Sequence, residues 1–140
     1  MASVEALEKR EGLTLAYELG KAGIDVLLLL EKGTLPNDTL STHNFFSNSV
    51  AMLRDMGVMD RLLATETPLY KRAYIVFDDA VIDGHYPEVN GENACFCIKR
   101  TYLDHALFEA ATAQAGVTAI DFQLCHAAGG QPHFNYMNIR

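Results

Sequence analysis

The sequence predicts an α/β fold, and three features carry the prediction. Leu15, Leu19 and Ala22 recur at helical spacing, with Ala16 and Tyr17 alongside, ahead of a glycine at position 23. Val26–Leu30 is then an uninterrupted apolar run, closed by Glu31 and the breaker pair Lys32-Gly33. Such a run suits a strand covered on both faces, as in a parallel sheet. A second helix-to-strand pair comes later, at Thr101–Gln114 and Val117–Phe122.

Composition bounds the possibilities. The chain has 140 residues, enough for one domain with a real core. Its formal net charge of −7 argues against nucleic acid, whose phosphates need clustered Lys and Arg, and no basic cluster exceeds Lys71-Arg72 or Lys99-Arg100. No apolar run approaches the ~20 residues of a membrane span. Met1–Gly12 is charged throughout, without the apolar segment of a signal peptide, so a cytoplasmic location is expected. Cys95, Cys97 and Cys125 read as reduced thiols. Cys95 and Cys97 fall on the same side of an expected strand, and core packing suits them better than zinc ligation, which needs wider spacing and a second pair.

Taken in order, Ser3–Arg10 holds good helix formers after a Ser3 cap and runs on, through a weak point at Gly12, to about Lys21. Gly23 sits where a left-handed cap is needed. Gly33–Asp38 is turn chemistry, and Thr39–Asn44 is irregular. Ser47–Asp55 reads as a helix with Val50, Met52, Leu53 and Met56 on its apolar side, closed by Gly57; Met59–Ala64 is a second short turn. Ala73–Phe77, the Asp78-Asp79 turn and Ala80–Asp83, ended by Gly84, form a small hairpin. Ala94–Ile98 is the next strand. Thr101 caps the helix after it, with Asp104 completing a capping box and Leu103, Leu107, Phe108 and Ala111 along one face. Gly116 ends that helix. Beyond Leu124 the pattern stops, and an irregular, mobile tail is expected.

A helix feeding a parallel strand that ends in a carboxylate is the second half of a dinucleotide-binding unit. Glu31 is the carboxylate. It fits a hydrogen-bond acceptor for a ribose diol and equally a solvated strand-end acid. The glycine loop that would cradle a pyrophosphate should precede the first helix. That place reads Glu8-Lys9-Arg10-Glu11-Gly12, where only Gly12 fits the last glycine of the motif and Glu8 and Glu11 would repel phosphate. Arg100, just before the Thr101 helix, offers a fixed charge and five donors to an anionic ligand, or pairs with a surface acid. Ser41, Thr42 and His43 cluster small donors and an imidazole in an irregular loop. A Ser-His-acid triad finds no nucleophile-elbow pattern. The other histidines lack metal-ligand spacing. Catalytic residues are not assigned and no metal site is expected.

Three segments in order, LTLAYELGKAGIDVLLLLEKGTLPNDTLSTH, VAMLRDMGVMDRLL and IKRTYLDHALFEAA, resemble the N-terminal part of FAD-dependent oxidoreductases of the aromatic-hydroxylase and geranylgeranyl-reductase type. The resemblance spans about Gly12 to Ile120. It implies a partial Rossmann-like FAD-binding domain over residues 1–124, with a small β-hairpin excursion and the tail at 125–140. It assigns Glu31 to the adenosine ribose of FAD, Lys32 to the basic residue that often comes next, Arg100 to the flavin-contacting arginine of the R-x-x-L-x-x-x-L helix, and Ser41, Thr42 and His43 to the stretch that runs along the flavin. NAD(P)H is the implied reductant, with the protein positioning and tuning the isoalloxazine.

The chain also departs from the family. The opening strand and full G-x-G-x-x-G loop are replaced by MASVEALEKRE and Gly12, and the Gly12-to-Glu31 spacing is one residue longer than the family pattern. A surplus residue in the Leu27–Leu30 run reverses the facing of every later strand residue unless a bulge absorbs it. The expectation is therefore a truncated or frame-disrupted portion of such an enzyme. The alternative is a non-catalytic α/β remnant that binds no cofactor and self-associates through strand edges exposed by the missing strand.

Overall fold

The computed structural model describes residues 9–30, 44–125 and 133–139. In chain order the elements are α1 (Lys9–Lys21), β1 (Val26–Leu30), α2 (Ser47–Asp55), α3 (Met59–Leu63), β2 (Leu69–Tyr70), β3 (Arg72–Phe77), β4 (Ala80–His85), β5 (Cys95–Phe96), α4 (Arg100–Thr112), β6 (Val117–Cys125) and β7 (His133–Ile139). They divide into two compact units. One takes the described residues up to 30 and from 104 onward; the other takes those from 44 to 103.

In the first unit, α1 packs against β1 and β6. The buried stripe is Leu13, Ala16 and Tyr17, not Leu15, Leu19 and Ala22, which are half-buried or exposed. Gly20 continues the buried stripe at helical spacing, and it decides which face packs. A Cβ built there would lie 2.6 Å from Val117 Cγ2 and 2.7 Å from Gln114 Cβ. Only glycine lets the helix come this close to the start of β6.

The turn from α1 into β1 forms as the sequence predicts. Gly23 has φ +77°, its N–H donates to the Gly20 carbonyl at 2.9 Å, and the Ile24 N–H donates to the Leu19 carbonyl at 3.0 Å. These two bonds are the Schellman arrangement, which satisfies carbonyls that the helix end leaves open. Gly57 repeats it after α2, with φ +73° and the Val58 N–H donating to Leu53 at 3.1 Å.

β1 pairs with β6 in parallel, Val26 opposite Val117 through Leu30 opposite Asp121, in a sheet of order β1-β6-β7. The parallel strand predicted at Val26–Leu30 is therefore present, but it is covered on one face only. Val26 and Leu30 are buried, whereas Leu27 is 49% and Leu29 51% exposed. The surplus residue causes no bulge in β1, whose ladder with β6 runs without a break; a register shift falls instead between Phe122 and Leu124, opposite β7. β7 itself corrects the irregular tail expected at 125–140. His133–Ile139 forms an antiparallel strand paired with the preceding strand β6, and its mixed polar and aromatic residues leave little periodic trace in its own sequence.

In the second unit, α2 spans the residues predicted, burying Ser47, Val50, Ala51 and Leu53 while Met52 turns outward. Phe45 and Phe96 exchange backbone hydrogen bonds at 2.9 and 3.0 Å, and their rings stack tilted at 5.5 Å. The strand expected at Ala94–Ile98 shrinks to β5, paired with the unpredicted β2. The hairpin forms around Asp78-Asp79, with Asp78 at φ +48°, and extends to His85, so Gly84 sits inside β4 opposite Ala73. By register, Ala73, Ile75, Phe77, Ala80, Ile82 and Gly84 share one face. The other face carries Arg72 paired with Asp83, whose carboxyl the guanidinium holds below the usual carboxylate range.

The two cysteines expected on one side of a strand are separated. β5 ends at Phe96, so the period of two no longer applies; Cys95 is buried and Cys97 exposed. Burial pushes the Cys95 thiol up from its ordinary value.

These packing contacts generate testable expectations. Gly20→Ala gains about 1 kcal/mol of helix propensity but incurs overpacking of about 1–3 kcal/mol, so urea unfolding should show a net loss. Gly23→Ala should lose about 1–2 kcal/mol through its left-handed backbone. Gly84→Ala, with open space and ordinary φ, should stay within about 0.5 kcal/mol of the parent. Separately, iodoacetamide near pH 8 should alkylate Cys97 well before Cys95, read by peptide mass spectrometry; equal rates would contradict the burial difference.

Candidate functional site

In parallel α/β sheets, ligands lie outside the carboxyl ends of the strands. Here that end is marked by Leu30 opposite Asp121. Glu31 and Lys32 come directly after Leu30 in the chain. Both, together with Ser41, Thr42 and His43, lie outside the described residues. Of the sequence-predicted site residues, Gly12 and Arg100 are described.

Gly12 lies in the first turn of α1 and is half-buried. Lys9, Arg10 and Glu11 precede it within the same helix. The place where a glycine loop would cradle a pyrophosphate is thus occupied, from Lys9 onward, by helical backbone. The described residues before Gly12 form no such loop, and the ribose-side candidate, Glu31, follows β1 outside the described residues.

Arg100 is the first residue of α4. The helix starts one residue earlier than expected, because the Lys99 carbonyl accepts from Tyr102 at 3.1 Å and from Leu103 at 3.2 Å. Thr101 is therefore inside the helix and does not cap it. Leu103, Leu107 and Ala111 are buried as predicted. Less expected is the burial of charge. Arg100 is 8% exposed and Asp104 is 0% exposed. Buried ionic groups need partners, and both have them. Spacing alone gave no sign of this burial, since a guanidinium before a helix reads as a surface group.

Elsewhere in the described residues, no group of three or more His, Cys, Asp or Glu is placed to hold a metal ion. No described helix is long and apolar enough to cross a membrane. His85 Nδ1 lies 3.2 Å from the Lys71 carbonyl and His105 Nδ1 3.4 Å from Glu109, one turn along α4. Tyr86 packs its ring on Phe46, with centroids 5.8 Å apart. One polar group stood out only in three dimensions: the Ser47 hydroxyl, buried without a hydrogen-bond partner. Its sequence signal is that of any serine beginning a helix.

Comparison with known proteins agrees with this architecture. Residues 10–126 match the family described as FAD binding domain. No curated protein matches the chain. Among solved structures, a flavoprotein/dehydrogenase from Cytophaga hutchinsonii superimposes with a TM-score of 0.64 at 20% identity, over 84% of this chain and 29% of that one. A myxobacterial chondrochloren halogenase, described as a variant of FAD-dependent halogenases, gives 0.65 at 15% identity, over 84% and 28%. The tetrameric form of 2-methyl-3-hydroxypyridine-5-carboxylic acid oxygenase gives 0.60 at 19% identity, over 93% and 34%. The chain spans about a third or less of the length of these structures, and at such identities the likeness is one of fold. A family match over most of the chain, on a helix–turn–parallel-strand unit with a carboxylate directly after its first strand, makes this chain a member of the FAD binding domain family, with FAD as its cofactor.

Proposed function

We propose that this chain contributes the adenosine-ribose side of the FAD site in a flavin-dependent oxidoreductase of monooxygenase or reductase type. The observation that carries the reading is the parallel β1–β6 pair with Glu31 next in the chain after β1. A carboxylate there accepts hydrogen bonds from both ribose hydroxyls, two bonds of fixed geometry to one charged group. Lys32 adds a counter-charge, Ser41, Thr42 and His43 run along the flavin, and Arg100 offers its guanidinium to the cofactor. Residues 1–124 form the FAD-binding portion and Gly12 the remaining glycine of the phosphate motif. NAD(P)H reduces the flavin, and the protein works in the cytoplasm. The named relatives are a dehydrogenase, a halogenase and an oxygenase, so hydroxylation, halogenation and reduction are all compatible with the shared fold.

A second reading has its own support. Helical backbone stands at Lys9–Gly12 in place of the glycine loop, β1 has a neighbour on one edge only among the described residues, and the hairpin exposes an apolar face. Under this reading the chain is a non-catalytic α/β remnant that binds no cofactor and associates with other chains.

An FAD titration separates the two. Under the first reading, the flavin absorption band shifts on mixing and its fluorescence changes saturably. Glu31→Ala should then weaken binding by about tenfold or more, the loss of charged hydrogen bonds of about 1.5–3 kcal/mol, with the circular dichroism unchanged. Free FAD left unperturbed by the purified protein, together with concentration-dependent oligomers in light scattering, would support the remnant.

A further inference from the structure

Ser47 opens the nine-residue helix α2. It is 2% exposed, and its Oγ is buried with no hydrogen-bond partner. Native structures rarely leave a buried hydroxyl unpaired, because it loses its bonds to water and gains none in return. Side chains on a helix tilt toward its N-terminus, so the hydroxyl of the first helical residue lies at that end.

The same end is short of acceptors. The first described α-helical bond runs from the Val50 N–H to the Phe46 carbonyl, at 3.0 Å. The N–H groups of Ser47, Asn48 and Ser49 come before it and have no acceptor inside the helix. Phe46 is the N-cap, extended at φ −80° and ψ 173°, and makes no side-chain cap bond. A phenyl ring has no acceptor to give. The first turn carries no acidic residue, so no carboxylate of that turn offsets the positive end of the helix dipole. Asn44, Phe46 and Asn48 around it are exposed, which leaves the helix end approachable from solvent.

Donors without helical acceptors and a hydroxyl without a partner belong to the same first turn of one helix. What completes them is an acceptor bearing negative charge. We propose that the N-terminus of α2 and the Ser47 hydroxyl form a binding site for an oxyanion, a phosphate or carboxylate group. The site is independent of Glu31 and of the flavin reading, and its test uses no flavin.

The test is thermal unfolding of the full chain with inorganic phosphate or with acetate, chloride holding the ionic strength constant, beside an amide NMR titration. The wild-type melting temperature should rise saturably with at least one anion, and the Ser47, Asn48 and Ser49 amide signals should move with it. A response to phosphate alone points to a phosphate source, and a response to acetate points to a carboxylate. Ser47→Ala should melt higher than wild type without anion, since an unpaired buried hydroxyl is gone. It should also bind the anion about tenfold more weakly, as expected for one lost hydrogen bond to a charged group. Absence of any saturable response overturns the proposal, and the NMR arm shows this without a variant. So does a Ser47→Ala protein that melts lower without anion, because the hydroxyl is then bonded within the fold or to water. Unchanged affinity in Ser47→Ala overturns it as well.

Discussion

The absence of one side chain, at Gly20, sets the geometry of the first unit. With no Cβ there, α1 settles onto Val117 and Gln114 at distances a methyl group could not tolerate. Gly116 makes a similar approach on the neighbouring corner, where a Cβ would lie 3.1 Å from the Ile24 carbonyl oxygen and 3.2 Å from Asp25 Oδ1. Gly23 turns the chain between these contacts. The Val26 N–H then donates to the Gly116 carbonyl at 2.8 Å, which starts the parallel ladder. Helix position, turn and strand register are thereby fixed together. The direction in which β1 delivers the chain to Glu31 depends on all three.

The second unit lies in sequence between β1 and Asp104 of α4, and the length of such an insertion adds little to the closure cost. Closing a longer loop adds only about 0.6 kcal/mol for each doubling of its length. The parallel pairing of β1 with β6 needs enough local packing to offset that closure, and the buried Leu13, Ala16, Tyr17, Val26 and Val117 provide it. Within the inserted unit, the Phe45–Phe96 exchange of backbone bonds ties the start of α2 to β5 by a separate, equally non-local contact.

The legible parts of the fold were those decided by short stretches of chain. The Gly23 and Gly57 caps, the bounds of α2, the apolar run of β1 and the Asp78-Asp79 turn each rest on residues within a few positions of one another. The parts that were not legible depend on partners far away. Nothing in the hydrophobic pattern marks Gly20 as a packing residue, because glycine contributes no apolar signal, so the wrong stripe of α1 looked like the core. β2 and β5 are two residues each and exist only as each other's partner. The single covered face of β1 could not be inferred from five consecutive apolar residues. For the site, order and spacing single out Glu31 and Arg100 only as candidates, and Glu31 lies outside the described residues, while the burial of Arg100 and Asp104 and the unpaired Ser47 hydroxyl are products of packing.

The hairpin poses a different demand from the first unit. A two-stranded ribbon is at best marginally stable alone. The Arg72–Asp83 pair adds little to it, since both side chains are well exposed and screened by water. The Ile75–Ile82 and Val76–Val81 pairs each contribute about 0.2–1 kcal/mol, too little to hold a ribbon whose residues each lose about 1–2 kcal/mol of backbone entropy on ordering. The face made by Ala73, Ile75, Phe77, Ala80, Ile82 and Gly84 carries no charge, in a chain whose formal net charge is −7. An uncharged apolar face lets an acidic molecule meet another apolar surface without like-charge repulsion at that face. The stability of the hairpin and its cover are therefore one question, separate from whether FAD is held at the end of β1.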